Sequence, residues 1–149
     1  MPYRVQATAT VRGSAEAIFN HIAVAEAWNV WGRFPTRAHR ERDGAPEPNG
    51  VGAVRRIFPA RERVVAYEPS TRYSYVALAG LPLRRYRADV TLEPRGEGTR
   101  VEWSGSFEPL VPGTGPLAKV VMGRMLGSFT SGLARHMERC EPGCPGRLN

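Results

Sequence analysis

Alternation of apolar and polar residues predicts a long β-hairpin over Leu83–Pro109. Every second residue is apolar or glycine along Tyr86–Leu92 and again along Val101–Phe107. A period of two places these residues on one face of each strand and their polar neighbours on the other. Between the arms, Pro94–Gly98 is rich in the residues that form turns. One face of the hairpin is therefore apolar and aromatic, and a second element must cover it.

A period of 3.6 residues predicts that this cover is a helix from about Pro116 to Arg139, roughly 30 Å long. Its apolar stripe consists of Val121, Met122, Met125, Leu126, Phe129, Leu133 and Met137. Pro116 suits the first turn. Gly123, Gly127 and Gly132 each cost about 1 kcal/mol relative to alanine inside a helix. Either close packing against a neighbouring element or space for a ligand would explain them.

The remaining pattern indicates two short helices after a first strand, and then more strands joined by short turns. The first strand covers Tyr3–Val11, and Ser14 is placed to cap a helix that begins at Ala15. The other predicted elements are a short helix within Ala23–Trp31 that ends at Phe34 and Pro35, an extended segment over Thr36–Arg42, a turn over Asp43–Gly50, and strands over Val51–Phe58, Arg61–Tyr67 and Thr71–Ala79. Short connections between successive strands favour an antiparallel meander.

A chain of 149 residues with this pattern is predicted to form a single domain over 1–140, with 141–149 as a flexible tail. It has no apolar run of about 18 residues and no signal-peptide pattern, so a cytoplasmic location is predicted. The formal charge is +7, but Lys119 is the sole lysine among 21 basic residues, and the arginines are spread along the chain. Codon usage explains such a distribution as easily as a basic binding surface does. The spread of the arginines therefore argues against nucleic-acid binding.

The chemistry-bearing residues of the C-terminal segment are His136, Cys140 and Cys144, in an H-x3-C-x3-C pattern. Three soft ligands at this spacing are compatible with a metal site. However, Pro142 and Gly143 interrupt any helix between the cysteines, and the sequence offers no evident fourth ligand. The pattern is therefore interpreted as two thiols on a loose tail, with no metal and no cofactor.

The order of elements, with several segments, resembles the START-like (SRPBCC) superfamily, and most closely its polyketide cyclase/dehydrase and lipid-transport branch. The segments that carry the resemblance are SAEAIFNHIAVAEAWNVW, GVGAVRRIF, RERVVAYEPSTRYSYVALAG and GEGTRVEWSGSFEP. The resemblance implies an α+β helix-grip (START/Bet v1-like) fold: a seven-stranded curved antiparallel sheet wrapped around a long C-terminal helix, with two short helices after strand 1. It also implies an elongated, mostly apolar cavity between sheet and helix.

Candidate site residues follow from the faces that this fold turns inward. The predicted ligand-binding residues are Trp31, Tyr86, Trp103, Phe107, Met122, Met125 and Phe129. Either Arg55 or Arg56 must share a strand face with apolar neighbours, and Arg56 with Glu62 is the preferred polar pair. His39 and Tyr75 are further catalytic candidates, whereas His21 is interpreted as a surface or packing residue. Gly105, in the centre of a strand, is expected to mark a bend or bulge.

The sequence is compatible with three functions. The favoured one is binding of a hydrophobic or aromatic small molecule, polyketide-like or lipid-like, because no catalytic motif is present. The second is a cyclase or dehydratase that uses acid–base groups in the cavity. The third is a protein-interaction module of the same superfamily. The sequence does not decide whether the chain is an enzyme, and it leaves a homodimer open.

Overall fold

A computed structural model describes residues 2–32, 36–139 and Cys144. The helix end predicted at Phe34 and Pro35, Cys140, and all of the tail except Cys144 lie outside the described residues. The strands are β1 Tyr3–Arg12, β2 His39–Arg42, β3 Val54–Ile57, β4 Ala60–Glu68, β5 Arg72–Ala79, β6 Leu83–Arg95 and β7 Gly98–Pro109. The helices are α1 Ala15–Ala23, a 3₁₀ turn Ala25–Ala27, α2 Trp28–Trp31 and α3 Gly115–Met137.

The strands form one antiparallel sheet of seven strands in the order β1-β7-β6-β5-β4-β3-β2. The predicted hairpin is β6 and β7, and its alternating apolar residues are buried as expected. Its turn is shorter than predicted, because Pro94 and Thr99 still pair across the strands. Gly96 supplies the left-handed conformation of this turn, at a φ of 59°. The helix-grip fold class predicted from the sequence is confirmed.

Helix α3 covers the apolar face of the sheet, mainly against β1 and β7, and also contacts α2. Its buried stripe includes Met122, Leu126, Phe129 and Leu133. Val121, predicted to lie in this stripe, is 55% exposed. None of the helices among the described residues is both long enough and apolar enough to cross a membrane.

The two tryptophans of α2 fix the short helices to one another. Ser14 caps α1, since its hydroxyl accepts a hydrogen bond from the backbone N–H of Ala17 at 3.1 Å. At the other end of α1, the indole N–H of Trp28 donates to the carbonyl of Ile22 at 2.8 Å, and that of Trp31 donates to the carbonyl of His21 at 2.9 Å. These carbonyls belong to the last turn of α1, where no later helical N–H is available to them.

The glycines of α3 have different surroundings. A Cβ at Gly132 would lie 2.8 Å from the carbonyl oxygen of Trp31, so this glycine permits close approach of α3 to α2. At Gly127 a Cβ would meet no atom of the described residues within 4 Å. Close packing, one of the two explanations proposed from the sequence, therefore applies to Gly132 and not to Gly127.

This contrast gives a matched pair of substitutions. Gly127→Ala should raise the free energy of unfolding by up to about 1 kcal/mol, because alanine is the better helix former and fits without a clash. Gly132→Ala should lower it, because overpacking against backbone costs about 1–3 kcal/mol and outweighs the helix propensity. Urea denaturation followed by circular dichroism measures both. Equal stability of the two variants would contradict the assigned helix contact.

Candidate ligand site between the sheet and the C-terminal helix

The buried arginine of β3 is Arg55, not Arg56. The Arg55 side chain is 1% exposed, whereas that of Arg56 is 57% exposed and lies 3.9 Å from the carboxylate of Glu41. The prediction of Arg56 as a cavity residue is therefore wrong. The inward face of β3 is the one that carries Ala53 and Ile57, and Arg55 shares it. Phe58, which is in register with Arg56, is exposed beyond the end of the strand.

Arg55 joins the sheet to the end of α1. Its Nη2 donates to Glu62 Oε1 on the adjacent strand at 3.0 Å, and its Nη1 donates to the carbonyl oxygen of Ile22 at 2.7 Å. The centre of the guanidinium lies 5.0 Å from the rings of Trp28 and Tyr73. Cation–π contacts of this kind are strongest when the charge is desolvated. A positive charge at the C-terminal end of α1 also suits the helix dipole.

Glu62 is buried as expected from the sequence, and Arg55 is its ion-pair partner. Burial raises the pKa of the Glu62 carboxyl above its ordinary value, while the adjacent Arg55 acts in the opposite direction. Burial also raises the pKa of the Tyr75 and Tyr86 hydroxyls. The phenols are therefore neutral at physiological pH and are available as hydrogen-bond donors.

A small enclosed space lies between these side chains and α3. Its volume is about 10 Å³, and a cavity needs roughly 10–15 Å³ to hold one water molecule. The lining residues are Ile57, Phe58, Pro59, Ala60, Glu62, Tyr75, Leu81, Tyr86, Met125 and Phe129. We call this set the interior gap. The position is the one predicted for a ligand cavity, but the gap in this structure is filled almost completely by side chains.

The gap contains a hydroxyl whose hydrogen bonding is incomplete. Among the described residues the buried Tyr86 hydroxyl makes no hydrogen bond of good geometry, although the nearby Tyr75 hydroxyl acts to lower its pKa. The Tyr75 hydroxyl itself accepts from the indole N–H of Trp103 at 3.2 Å. Gly105 makes room for the Tyr86 ring, since a Cβ there would lie 3.0 Å from a ring carbon. Strand pairing through Gly105 is regular on both sides, so of the bend or bulge expected at this residue the bulge is excluded.

The other candidate residues separate into core and surface. Trp31, Trp103, Phe107 and Met122 are buried in the hydrophobic core but do not line the gap. Trp31 and Trp103 pack against Phe129, with ring centroids 6.0 and 5.3 Å away. His39 is exposed on the edge strand β2, opposite Arg56. The structure thus brings together Glu62, Tyr75, Tyr86, Met125 and Phe129 of the predicted set.

The comparisons with known proteins agree with this architecture. The family model described as "Polyketide cyclase / dehydrase and lipid transport" matches residues 2–138, and the chain belongs to this family. None of the curated protein sequences compared with the chain matches it significantly.

Solved structures share the fold at low sequence identity. A START superfamily protein from Mycobacterium smegmatis superposes with a TM-score of 0.79 at 17% identity, over 93% of this chain and 99% of that chain. Ara h 8.0201 gives a TM-score of 0.71 at 15% identity, over 93% and 99%. DynU16, a protein from the dynemicin biosynthetic locus, gives 0.69 at 18% identity, over 97% of this chain and 49% of that chain. At these identities the likeness establishes the fold alone.

The two adjacent arginines of β3 provide a test of the buried ion pair. Arg55→Ala should lower the free energy of unfolding by about 3–5 kcal/mol, because it leaves the Glu62 carboxylate buried without its partner. Arg56→Ala, the matched control, should change it by no more than about 0.5 kcal/mol. The double variant Arg55→Met/Glu62→Met should be less destabilised than the sum of its single variants. Equal effects of the two alanine variants in urea denaturation would refute the assignment.

Proposed function

We propose that this protein binds a hydrophobic small molecule, polyketide-like or lipid-like, in the interior gap between the sheet and α3. The observation that carries the proposal is the Tyr86 hydroxyl, which is buried beside Glu62 in an otherwise apolar enclosure and makes no well-formed hydrogen bond to any described residue. A buried polar group that lacks a good hydrogen bond costs up to about 1–3 kcal/mol, and a ligand with a hydrogen-bond acceptor would recover part of that energy. Membership of a family described by cyclase and lipid-transport activities supports the same ligand class.

Binding requires the gap to open, because its volume of about 10 Å³ is far below the ~300 Å³ or more of a typical ligand pocket. The side chains suited to this movement lie at its outer boundary. Phe58 is exposed, Leu81 is in the connection between β5 and β6, and Met125 is half-buried on α3. Methionine adapts to irregular partners through its flexible side chain. We infer that the ligand enters between these three residues and displaces them.

The first experiment asks whether the unmodified chain binds such molecules. Native mass spectrometry should detect a co-purified ligand, or titration with fatty acids, sterols and polycyclic phenols should give at least one micromolar dissociation constant. Because Phe129 contacts Trp28 and Trp103, a bound ligand should also change tryptophan fluorescence. If no co-purified molecule is found and every compound binds no better than millimolar, the proposal is wrong.

Substitutions then locate the site. Met125→Trp should abolish binding by filling the gap, whereas Val121→Trp, on the exposed side of the same helix, should leave it intact. Tyr86→Phe should weaken a phenolic or carbonyl ligand by about 5- to 10-fold, the effect of one lost hydrogen bond, and should leave a hydrocarbon ligand unchanged. Equal binding by the two tryptophan variants would place the ligand elsewhere.

A second candidate function is acid–base catalysis on the same bound molecule. The observation that favours it is the raised pKa of the Glu62 carboxyl beside the Tyr75 hydroxyl, since a carboxyl tuned upward can hold a proton for transfer nearer neutral pH. Once a substrate is known, Glu62→Gln should abolish turnover, and the exposed control Glu41→Gln should retain it. Unchanged turnover by Glu62→Gln, with the fold intact by circular dichroism, would exclude this role.

The other expectations from the sequence stay predictions. They are the cytoplasmic location, the homodimer that the sequence leaves open, and the alternative role as a protein-interaction module. None of the findings above tests them, and the ligand proposal does not depend on them.

A further inference from the structure

Two histidines and a cysteine meet where His21 of α1 contacts His136 near the end of α3. The Nε2 atoms of His21 on α1 and His136 on α3 are 3.1 Å apart. The Sγ atom of Cys144 lies 3.4 Å from Nε2 of His21 and 3.5 Å from Nε2 of His136. His21 is thus brought together with two residues more than 100 positions later in the chain, and the three side chains place their donor atoms close to one another.

The triangle formed by these atoms has the dimensions of one face of a zinc coordination tetrahedron. With Zn–N distances of about 2.0–2.1 Å and a Zn–S distance of about 2.3 Å, tetrahedral angles separate two nitrogens by about 3.3 Å and a nitrogen from sulfur by about 3.6 Å. The observed separations are 3.1 Å for the nitrogens and 3.4 and 3.5 Å for nitrogen and sulfur. The atoms are therefore close to the positions they would occupy around a bound ion.

The surroundings of His21 prepare its ring to act as a ligand. Its Nδ1 lies 2.7 Å from the carbonyl oxygen of Ala17. A carbonyl only accepts hydrogen bonds, so Nδ1 carries a proton and donates it, and in the neutral form of the ring Nε2 presents its lone pair to the cluster. A backbone carbonyl in this position is the usual outer partner of a metal-binding histidine, because it fixes both the tautomer and the orientation of the ring. His21 is fully buried, which holds the ring further.

We propose that His21, His136 and Cys144 bind a zinc ion. Two imidazole nitrogens and a thiolate form a donor set that suits Zn²⁺ and excludes the hard cations Mg²⁺ and Ca²⁺. The ion ties the end of α3 and a residue of the C-terminal segment to α1, and the three protein ligands leave its fourth tetrahedral position to water or another donor. Cys140, the other cysteine of the sequence pattern, lies outside the described residues, and the proposal rests on the three named ligands. It revises the expectation of no metal and is independent of the ligand proposed for the interior gap.

The test uses the full chain, expressed without a polyhistidine tag in zinc-supplemented medium. Inductively coupled plasma mass spectrometry should find about one zinc per chain after dialysis, and X-ray absorption should show a sulfur shell at about 2.3 Å and nitrogen at about 2.0 Å. Cys144→Ser and His136→Gln should each weaken zinc binding at least 10-fold in competition with a chromophoric chelator. His39→Gln, the matched control on the exposed edge strand, should bind as the unmodified chain does.

Thermal denaturation gives a second readout that needs no ligand and no activity. Chelation by EDTA should lower the Tm of the unmodified chain and of His39→Gln, but it should have little effect on Cys144→Ser. The proposal is overturned if the unmodified chain contains no zinc and takes up none at micromolar concentration. It is also overturned if the bound zinc has no sulfur ligand, or if Cys144→Ser keeps the affinity of the unmodified chain.

Discussion

The buried Arg55 guanidinium is the contact on which the arrangement of this fold depends. It bonds to Glu62 within the sheet and to the last-turn carbonyl of Ile22 in α1, so it joins two layers of the molecule. A charge at this depth is tolerated because it has an ion-pair partner, a carbonyl acceptor and aromatic faces around it. The position of α1 relative to the sheet is thereby specified by directional bonds as well as by apolar packing.

Sequence periodicity predicted the fold well, but of the buried ion pair Arg55–Glu62 it identified only Glu62. Alternation along β6 and β7 and the helical stripe of α3 are long, regular signals, and each survives small errors in boundaries. To choose between Arg55 and Arg56, the sequence had to show which face of β3 is buried. The strand has only four residues, and a shift of one residue in the alternation exchanges its two faces. Ala53 and Ile57, which alternate with Arg55, mark the buried face, whereas Phe58, in register with Arg56, is exposed.

Contacts between distant parts of the chain were beyond the reach of periodicity. His21 lies on the buried side of α1, but nothing in its neighbourhood indicates that its ring meets His136, 115 residues away. Likewise, the sequence placed Tyr86 on an inward face without showing that its hydroxyl makes no well-formed hydrogen bond to a described residue. That property depends on what β4, β5 and α3 bring to the same point. Local patterns determine which face of an element is buried, whereas partners are determined by the packing of several elements.

The end of α1 connects the two proposed sites through consecutive residues. The side chain of His21 contacts His136 and Cys144, and its carbonyl accepts from Trp31. The next carbonyl, that of Ile22, accepts from Nη1 of Arg55. The other terminal nitrogen of the same guanidinium, Nη2, donates to Glu62 at the interior gap. A cation that holds α1 against α3 would therefore also hold the acceptor that positions Arg55 and Glu62. The two proposed sites are thus connected through the backbone of α1, which contributes His21 to one and the Ile22 carbonyl to the other, and not through a chain of side chains across the core.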